Sequence, residues 1–377
     1  MNLLRRISLT RLLLLLGATA VIGISATALA LALGTGPKPP AKPLAQAVHD
    51  ALASGQATPV QGYSASVTLT DHLIEGAELA SGGGSGQGGL ASSPLLDGGS
   101  GRLWVSNDGR MRLELQAEKG DTQIVYDGHT VTMYDASSNT IYRYTPKSGE
   151  SSGGGGTGYA PLSKNHASGT EPASEVPSVA KIEEALTEAR KHAKLSEATP
   201  TDVAGRPAYT VRLSPNEGGS LLGGAELSFD ADNGLPLRTA VYSSTSSAPV
   251  IELAASEVSY GPVDPSVFTI TPPADAKVEE LTINHGTSSK PGGDSSKPTV
   301  TTHGTGVSSI AVLQAKSSGK GAPSSLESLP KVKIGSATAS ELRTELGTIL
   351  TFERGGVRYV LAGAVQPAAV EALARGL

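Results

Sequence analysis

The residue types that carry most enzyme and metal chemistry are present, but not at spacings that would let them act together. Seven histidines (His49, His72, His129, His166, His192, His285 and His303) include no pair four residues apart and no HExxH, so no helical face offers two imidazoles to a metal. No serine lies in a GxSxG turn, and the adjacent Glu183 and Glu184 belong to a solvated helical face rather than to a shared acid–base site. Cysteine is absent, which removes disulfides, thiolate ligands, a cysteine nucleophile and lipidation through an N-terminal cysteine. The glycine-rich run SGGGSGQGG lacks the Lys-Ser/Thr of a phosphate loop and does not open a helix after a buried strand. The sequence therefore predicts no catalytic residues, no metal and no cofactor. The side chains left with a task are apolar ones: Trp104, Met111, Leu113, Val125, Val131, Met133 and Tyr134. Each has two readings, ordinary sheet core or wall of an apolar cavity, and for any one of them alone core is the simpler.

Those seven lie in residues 101–144, where short runs rich in Val, Ile, Leu, Tyr and Trp alternate with Asn, Asp, Gly and Ser, the pattern of antiparallel strands joined by tight turns. Met111, Leu113 and Leu115 fall on one side of a strand and Arg112, Glu114 and Gln116 on the other, because side chains alternate along extended chain. Asp127-Gly128 reads as a two-residue hairpin loop between residues 123–126 and 130–134. Around this meander the periodicity predicts an amphipathic helix over 42–54, a strand over 63–71, a helix over 178–197 and strands over 208–213, 225–230, 235–242, 248–260 and 267–271. Polar, glycine-rich stretches at 76–100 and 146–177 read as disordered insertions. The sum is α+β, one large antiparallel sheet with helices on a face. Residues 282–306 read as a linker to a small α+β domain at 307–377, with strands over 308–315, 331–336, 348–353 and 357–362. Thr338-Ala339-Ser340-Glu341 fits a capping box opening a helix to Leu346, and a terminal helix is expected over 367–375.

Arg5, Arg6 and Arg11 precede an uncharged apolar run at 12–33, roughly 33 Å of helix against a bilayer core of about 30 Å. Residues 1–34 read as a transmembrane anchor with the remainder outside the membrane, or as a signal peptide cleaved at a small-x-small site such as Ala28-Leu29-Ala30. The net charge of −5 gives no basic footprint, which excludes nucleic acid as a partner.

Gly101-Arg102-Leu103-Trp104-Val105, followed by Tyr126-Asp127-Gly128-His129-Thr130-Val131-Thr132-Met133-Tyr134-Asp135, resembles the core of the LolA/LolB/RseB superfamily of extracytoplasmic lipoprotein-handling proteins. The resemblance continues in Ala204-Gly205-Arg206-Pro207-Ala208-Tyr209 and Asp232-Asn233-Gly234-Leu235-Pro236-Leu237, and covers residues 42–281. It implies an incomplete antiparallel β-barrel covered by helices, whose concave apolar face holds the acyl chains of a lipid or lipoprotein. The family's apolar hook falls on Met111, while its basic turn residue falls on Asn107, a departure. The C-terminal piece is similar to the small domain of RseB-type regulators, which implies an anti-sigma factor as the partner in a second reading. A cell-envelope structural protein without ligand is the third.

Overall fold

The computed structural model describes residues 36–74, 96, 98–118, 120–145, 176–281, 299–317 and 329–377. The apolar run at 12–33 and nearly all of both glycine-rich insertions lie outside the described residues. Among those that are described, no helix is long and apolar enough to cross a membrane.

Helix α1 (Leu44–Ala57) is followed by β1 (Gly62–Asp71) and then by the meander: β2 (Gly99–Ser106), β3 (Met111–Ala117), β4 (Gly120–Tyr126), β5 (Val131–Asp135) and β6 (Thr140–Tyr144). After α2 (Val179–Arg190) come β7 (Ala193–Leu195), β8 (Thr199–Val203), β9 (Arg206–Pro215), β10 (Leu222–Asp230), β11 (Pro236–Ser243), β12 (Pro249–Tyr260) and β13 (Lys277–Leu281). These thirteen strands form one sheet in the order β13-β6-β5-β4-β3-β2-β1-β12-β11-β10-β9-β7, with β8 beside β9. The pairing is antiparallel except for β13, which runs parallel to β6. The sheet is open, since β13 and β7 at its two ends do not pair, and the fold is α+β without a closed barrel, as expected.

A smaller antiparallel sheet follows, built from β14 (Thr299–His303), β15 (Ile310–Lys316), β16 (Lys331–Ile334), β17 (Ala337–Thr344), β18 (Gly347–Arg354) and β19 (Val357–Gly363). Helix α3 (Pro367–Arg375) seats Val370 and Ala374 on its core of Val312, Ile334, Leu350 and Leu361. Hydrogen bonds and an apolar contact tie this unit to the large sheet. The Leu221 amide and the Ser220 hydroxyl both donate to the Ala364 carbonyl, and the Glu345 amide donates to that of Leu73. Leu346 packs beside Leu73 and Leu222 over Val241, Val250 and Ile251.

Several expectations are corrected. The Asp127-Gly128 hairpin has a four-residue loop, with Tyr126 opposite Val131, because the Asp127 carboxylate accepts from the His129 and Thr130 amides and holds a wider turn. The second helix stops at Arg190, and Ala193–Leu195 leave it to pair with β9. Residues 265–268 form a single 3₁₀ turn rather than the start of a strand; Pro265 presets the backbone and the Asp264 side chain caps the Ser266 amide. The Thr338–Glu341 capping pattern opens no helix, since Ala337–Thr344 is a central strand hydrogen-bonded on both sides, and pairing overrides a local cap signal. Part of the expected linker is β14, and β8 and β13 lie where no strand was read.

Candidate ligand-binding face

The registers of β1 to β6 sort every side chain of the meander onto one of two faces. Directly opposed residues share a face, so one face carries the row Tyr63, Val105, Met111, Tyr126, Val131 and Tyr144 and, beside it, Ala65, Leu103, Leu113, Ile124, Met133 and Tyr142. The opposite face carries Ser64, Trp104, Arg112, Val125, Thr132 and Arg143, then Ser66, Arg102, Glu114, Gln123, Tyr134 and Ile141. The first face is apolar and the second is mixed.

The seven sequence-derived residues are therefore split. Met111, Leu113, Val131 and Met133 stand together on the apolar face, whereas Trp104, Val125 and Tyr134 point the other way. Leu113 is 1% exposed and belongs to a core cluster with Leu69, Leu115 and Ile124, while Met111, Val131 and Met133 pack at its margin and stay half-buried. Val125 is buried on the far side. Its row neighbour Arg112 donates to the Val267 carbonyl at 2.8 Å and to that of Thr269 at 3.0 Å, which ties the 3₁₀ segment down across that face. Tyr134 donates its hydroxyl to the Asn139 side chain.

The apolar face does not stop at the meander. Leu69 is opposite Leu253, which is opposite Thr239, then Leu227 and Val211, so the same face runs across β12, β11, β10 and β9. Leu253 is half-buried and Leu227 is 36% exposed, a large apolar side chain left facing outward. Among the described residues, helices close over this face at the β9–β10 end alone. There Leu44, Ala47 and Ala51 of α1 pack on Tyr209 and Phe229, joined by Leu186 of α2. Gly234, at φ +76, lets the β10–β11 turn approach Ala51 where a methyl would crowd it. Among the described residues helical cover thus lies at one end of the sheet, less than the expected covering of an incomplete barrel.

Sequence reasoning missed Tyr142 and Tyr144, which continue the two apolar rows onto β6. The signal was present: in Thr140–Tyr144 both tyrosines alternate with Arg143, which marks the outward side. It also missed Leu227 and Leu253, because their rows are set by strands far apart in sequence. Gly101 sits on the apolar face opposite Val67 and Leu115, where a β-carbon would overlap the Glu114 carbonyl; its bare backbone draws β2 and β3 together.

At the meander's first turn the Asn107 amide donates to the Gln61 carbonyl. The positive charge in this turn is Arg110, paired with Asp108 at 2.8 Å and lying 4.8 Å from the centre of the Phe268 ring. Arg110 holds the Asp108 carboxyl down at about 2, with help from Ser106. At the far end of β1, burial pushes the Asp71 carboxyl up to about 7 against the opposing bond from the Leu73 amide. Among the described residues no three His, Asp or Glu side chains gather at a point that could hold a metal.

Residues 93–151, the stretch that includes the meander, match a family described as "Predicted periplasmic protein (DUF2092)", in keeping with an extracytoplasmic setting. No curated protein sequence matches the chain. Among solved structures it is similar to MucB in the Pseudomonas aeruginosa MucA/MucB complex, at 14% identity and a TM-score of 0.40 over 88% of this chain and 96% of that one. An uncharacterized conserved protein from Thermus thermophilus matches at 11% identity and a TM-score of 0.34, covering 63% of this chain and 100% of that one. A LolA-superfamily protein from Nitrosomonas europaea matches at 9% identity and a TM-score of 0.20, covering 85% and 91%. These are likenesses of outline alone.

Proposed function

We propose that the protein is an extracytoplasmic binding protein that holds the acyl chains of a lipid or lipoprotein against the apolar face of its large sheet. The observation that carries this reading is an apolar face left partly uncovered on either side of the buried β1 residues Val67 and Leu69: Met111, Val131, Met133 and Leu103 are half-buried in the meander, as is Leu253 on β12, and beyond Thr239 lies the exposed Leu227. An alkyl chain laid along it gains about 0.8 kcal/mol per buried CH₂, so a chain of ordinary length needs no charged anchor to be retained. Of the seven residues first singled out, Met111, Val131 and Met133 serve this role, Leu113 is the buried core beneath them, and Trp104, Val125 and Tyr134 belong to the opposite face. A retained segment at 12–33 would hold the site beside its lipid source.

The test uses a fluorescent acyl probe and the face assignment itself. Met133→Asp should weaken probe binding about tenfold or more, while Tyr134→Ser, one residue along and on the other face, should leave it unchanged. Equal effects from the two, or no probe binding by the delipidated protein, would sink the proposal.

A second reading, a regulator that passes ligand occupancy to a partner protein such as an anti-sigma factor, is favoured by the joint between the two sheets. Leu73, which receives the Glu345 amide, lies just beyond the end of β1, the strand whose Val67 and Leu69 floor the apolar face. Leu346→Asp would loosen this joint. If partner capture by the full chain ignored both acyl ligand and that substitution, the reading would fail.

A further inference from the structure

On the opposite side of the sheet from the helices, the far wing carries a pocket whose chemistry owes nothing to the apolar strip. Its volume is about 470 Å³, and it is lined by Ser196, Thr199, Thr201, Thr210, Arg212, Glu226 and Arg238, with Pro200 at one wall. Register places it: Thr199 is opposite Thr210, Arg212 opposite Glu226, and Ser228 opposite Arg238, all on the face turned away from Val211 and Phe229.

The hydrogen-bond ledger of this pocket is asymmetric. Arg238 is fully engaged: Nη1 donates to Glu226 at 2.9 Å, Nε to Glu252 at 2.8 Å and Nη2 to the Tyr242 hydroxyl at 3.0 Å. Glu226 is engaged as well, accepting from Arg238, from the Tyr242 hydroxyl at 2.7 Å and from Arg212 Nη1 at 3.1 Å. Burial alone would raise its carboxyl, but those donors hold it below the usual carboxylate range, so it remains charged and committed to the network. Arg212 spends one nitrogen on Glu226 and lies 4.3 Å from the centre of the Tyr242 ring. Its Nε and Nη2, and the hydroxyls of Thr199 and Thr201, have no partner among the described residues. The pocket's carboxylate is committed to its own donors, while two guanidinium nitrogens and two hydroxyls able to donate are left over.

A guanidinium seated over a ring and bonded through one nitrogen has less freedom to lose when a ligand accepts from its remaining nitrogens. The two arginines and the carboxylates of Glu226 and Glu252 cancel in charge. Lys194, opposite Ser214, stands on the same face as Arg212 but outside the pocket's lining. We infer that this pocket is a binding site for a small oxyanion, a phosphate group or a carboxylate, that accepts hydrogen bonds from Arg212 and from the Thr199 and Thr201 hydroxyls. Glu226, Arg238 and Tyr242 are positioning residues that aim Arg212. The site is separate from the acyl-binding face and stands whether or not that face binds lipid.

The experiment is calorimetric titration of the full chain with inorganic phosphate and, separately, with acetate, each at fixed ionic strength with chloride as background. Saturable binding of either anion at millimolar concentration is expected, and which of them binds distinguishes phosphate from carboxylate. Arg212→Met keeps the packing on Tyr242 and should reduce affinity about tenfold or more, with Thr201→Val giving a smaller loss and Met133→Asp none. Thermal melts of each variant separate loss of a ligand contact from loss of the fold. Should neither anion bind the unaltered protein, or should Arg212→Met and Thr201→Val both bind as tightly as it does while folded, the assignment is overturned.

Discussion

The two wings of the large sheet use the same strands for opposite purposes. In the β9–β12 wing the inner face is sealed at its end by α1 and α2 over Tyr209 and Phe229, and the outer face is knitted by Arg212, Glu226, Arg238, Tyr242 and Glu252. In the β1–β6 wing no described helix lies over the inner face, and Met111, Val131 and Met133 stay half-buried at the margin of a dry core. Where α1 and α2 already cover the apolar surface, it is scaffold. A wing whose apolar surface is only half satisfied has free energy left for something else to collect.

The largest expected effect tests that difference directly. Leu113→Ala should cost about 3 kcal/mol in urea unfolding, whereas Val131→Ala, on the same face but half-buried, should cost under about 1 kcal/mol. If the two losses were alike, the meander would be a closed core and the contrast would break. Next, Arg238→Met in the far wing leaves Glu226 and Glu252 facing each other without their shared cation, for a loss of about 2 kcal/mol at neutral pH in the same assay. A loss within experimental error would mean that the network is ornamental.

Asp71 stands where β1, shared by both wings, meets the smaller sheet. Its carboxyl, raised to about 7 by burial, binds a proton in the folded protein at pH values where the unfolded chain has already lost it. Stability therefore falls as pH rises from about 4 to about 7 and is flat above, and Asp71→Asn should remove that slope. At pH 8 the substitution should gain about 1–2 kcal/mol after allowing for water at the strand end, read from melts at pH 5 and pH 8. A parallel shift at both pH values would count against it. The smallest effect lies in the β8–β9 turn, where Ala204 adopts φ +56 beside Gly205 at φ +71. Ala204→Asn suits that left-handed geometry and should add about 0.5–1 kcal/mol without touching either ligand site.

What the sequence made legible was whatever repeats at short range. Alternation in Met111–Ala117 and Ala225–Asp230 located strands, and Pro367–Arg375 matched its helix because Pro near its start and an apolar stripe are local signals. Face assignment across strands was not legible. Met133 and Tyr134 are adjacent and both bulky, and only the register with β4 and β6 shows that one meets Ile124 while the other meets Gln123. The oxyanion pocket was invisible for the same reason, since Thr199, Arg212, Glu226 and Arg238 are spread over four strands. Thr338–Glu341 misled because a capping pattern says nothing about the two strands waiting on either side.

The seam between β1 and β12 also governs how the molecule is made. Tyr63 pairs with Tyr260 and Leu69 with Leu253, closing a loop of nearly two hundred residues, a contact of the kind that folds late because chain entropy must be surrendered first. The meander can zip as soon as residue 144 is available, but until residues 249–260 arrive one whole edge of β1 is exposed, a long strand rich in β-branched and aromatic residues that any other edge could join. For a chain delivered from its N-terminus, the most hazardous interval lies between finishing the first wing and receiving the last strand of the second. A truncation just before residue 249 should therefore aggregate rather than persist as a half-domain.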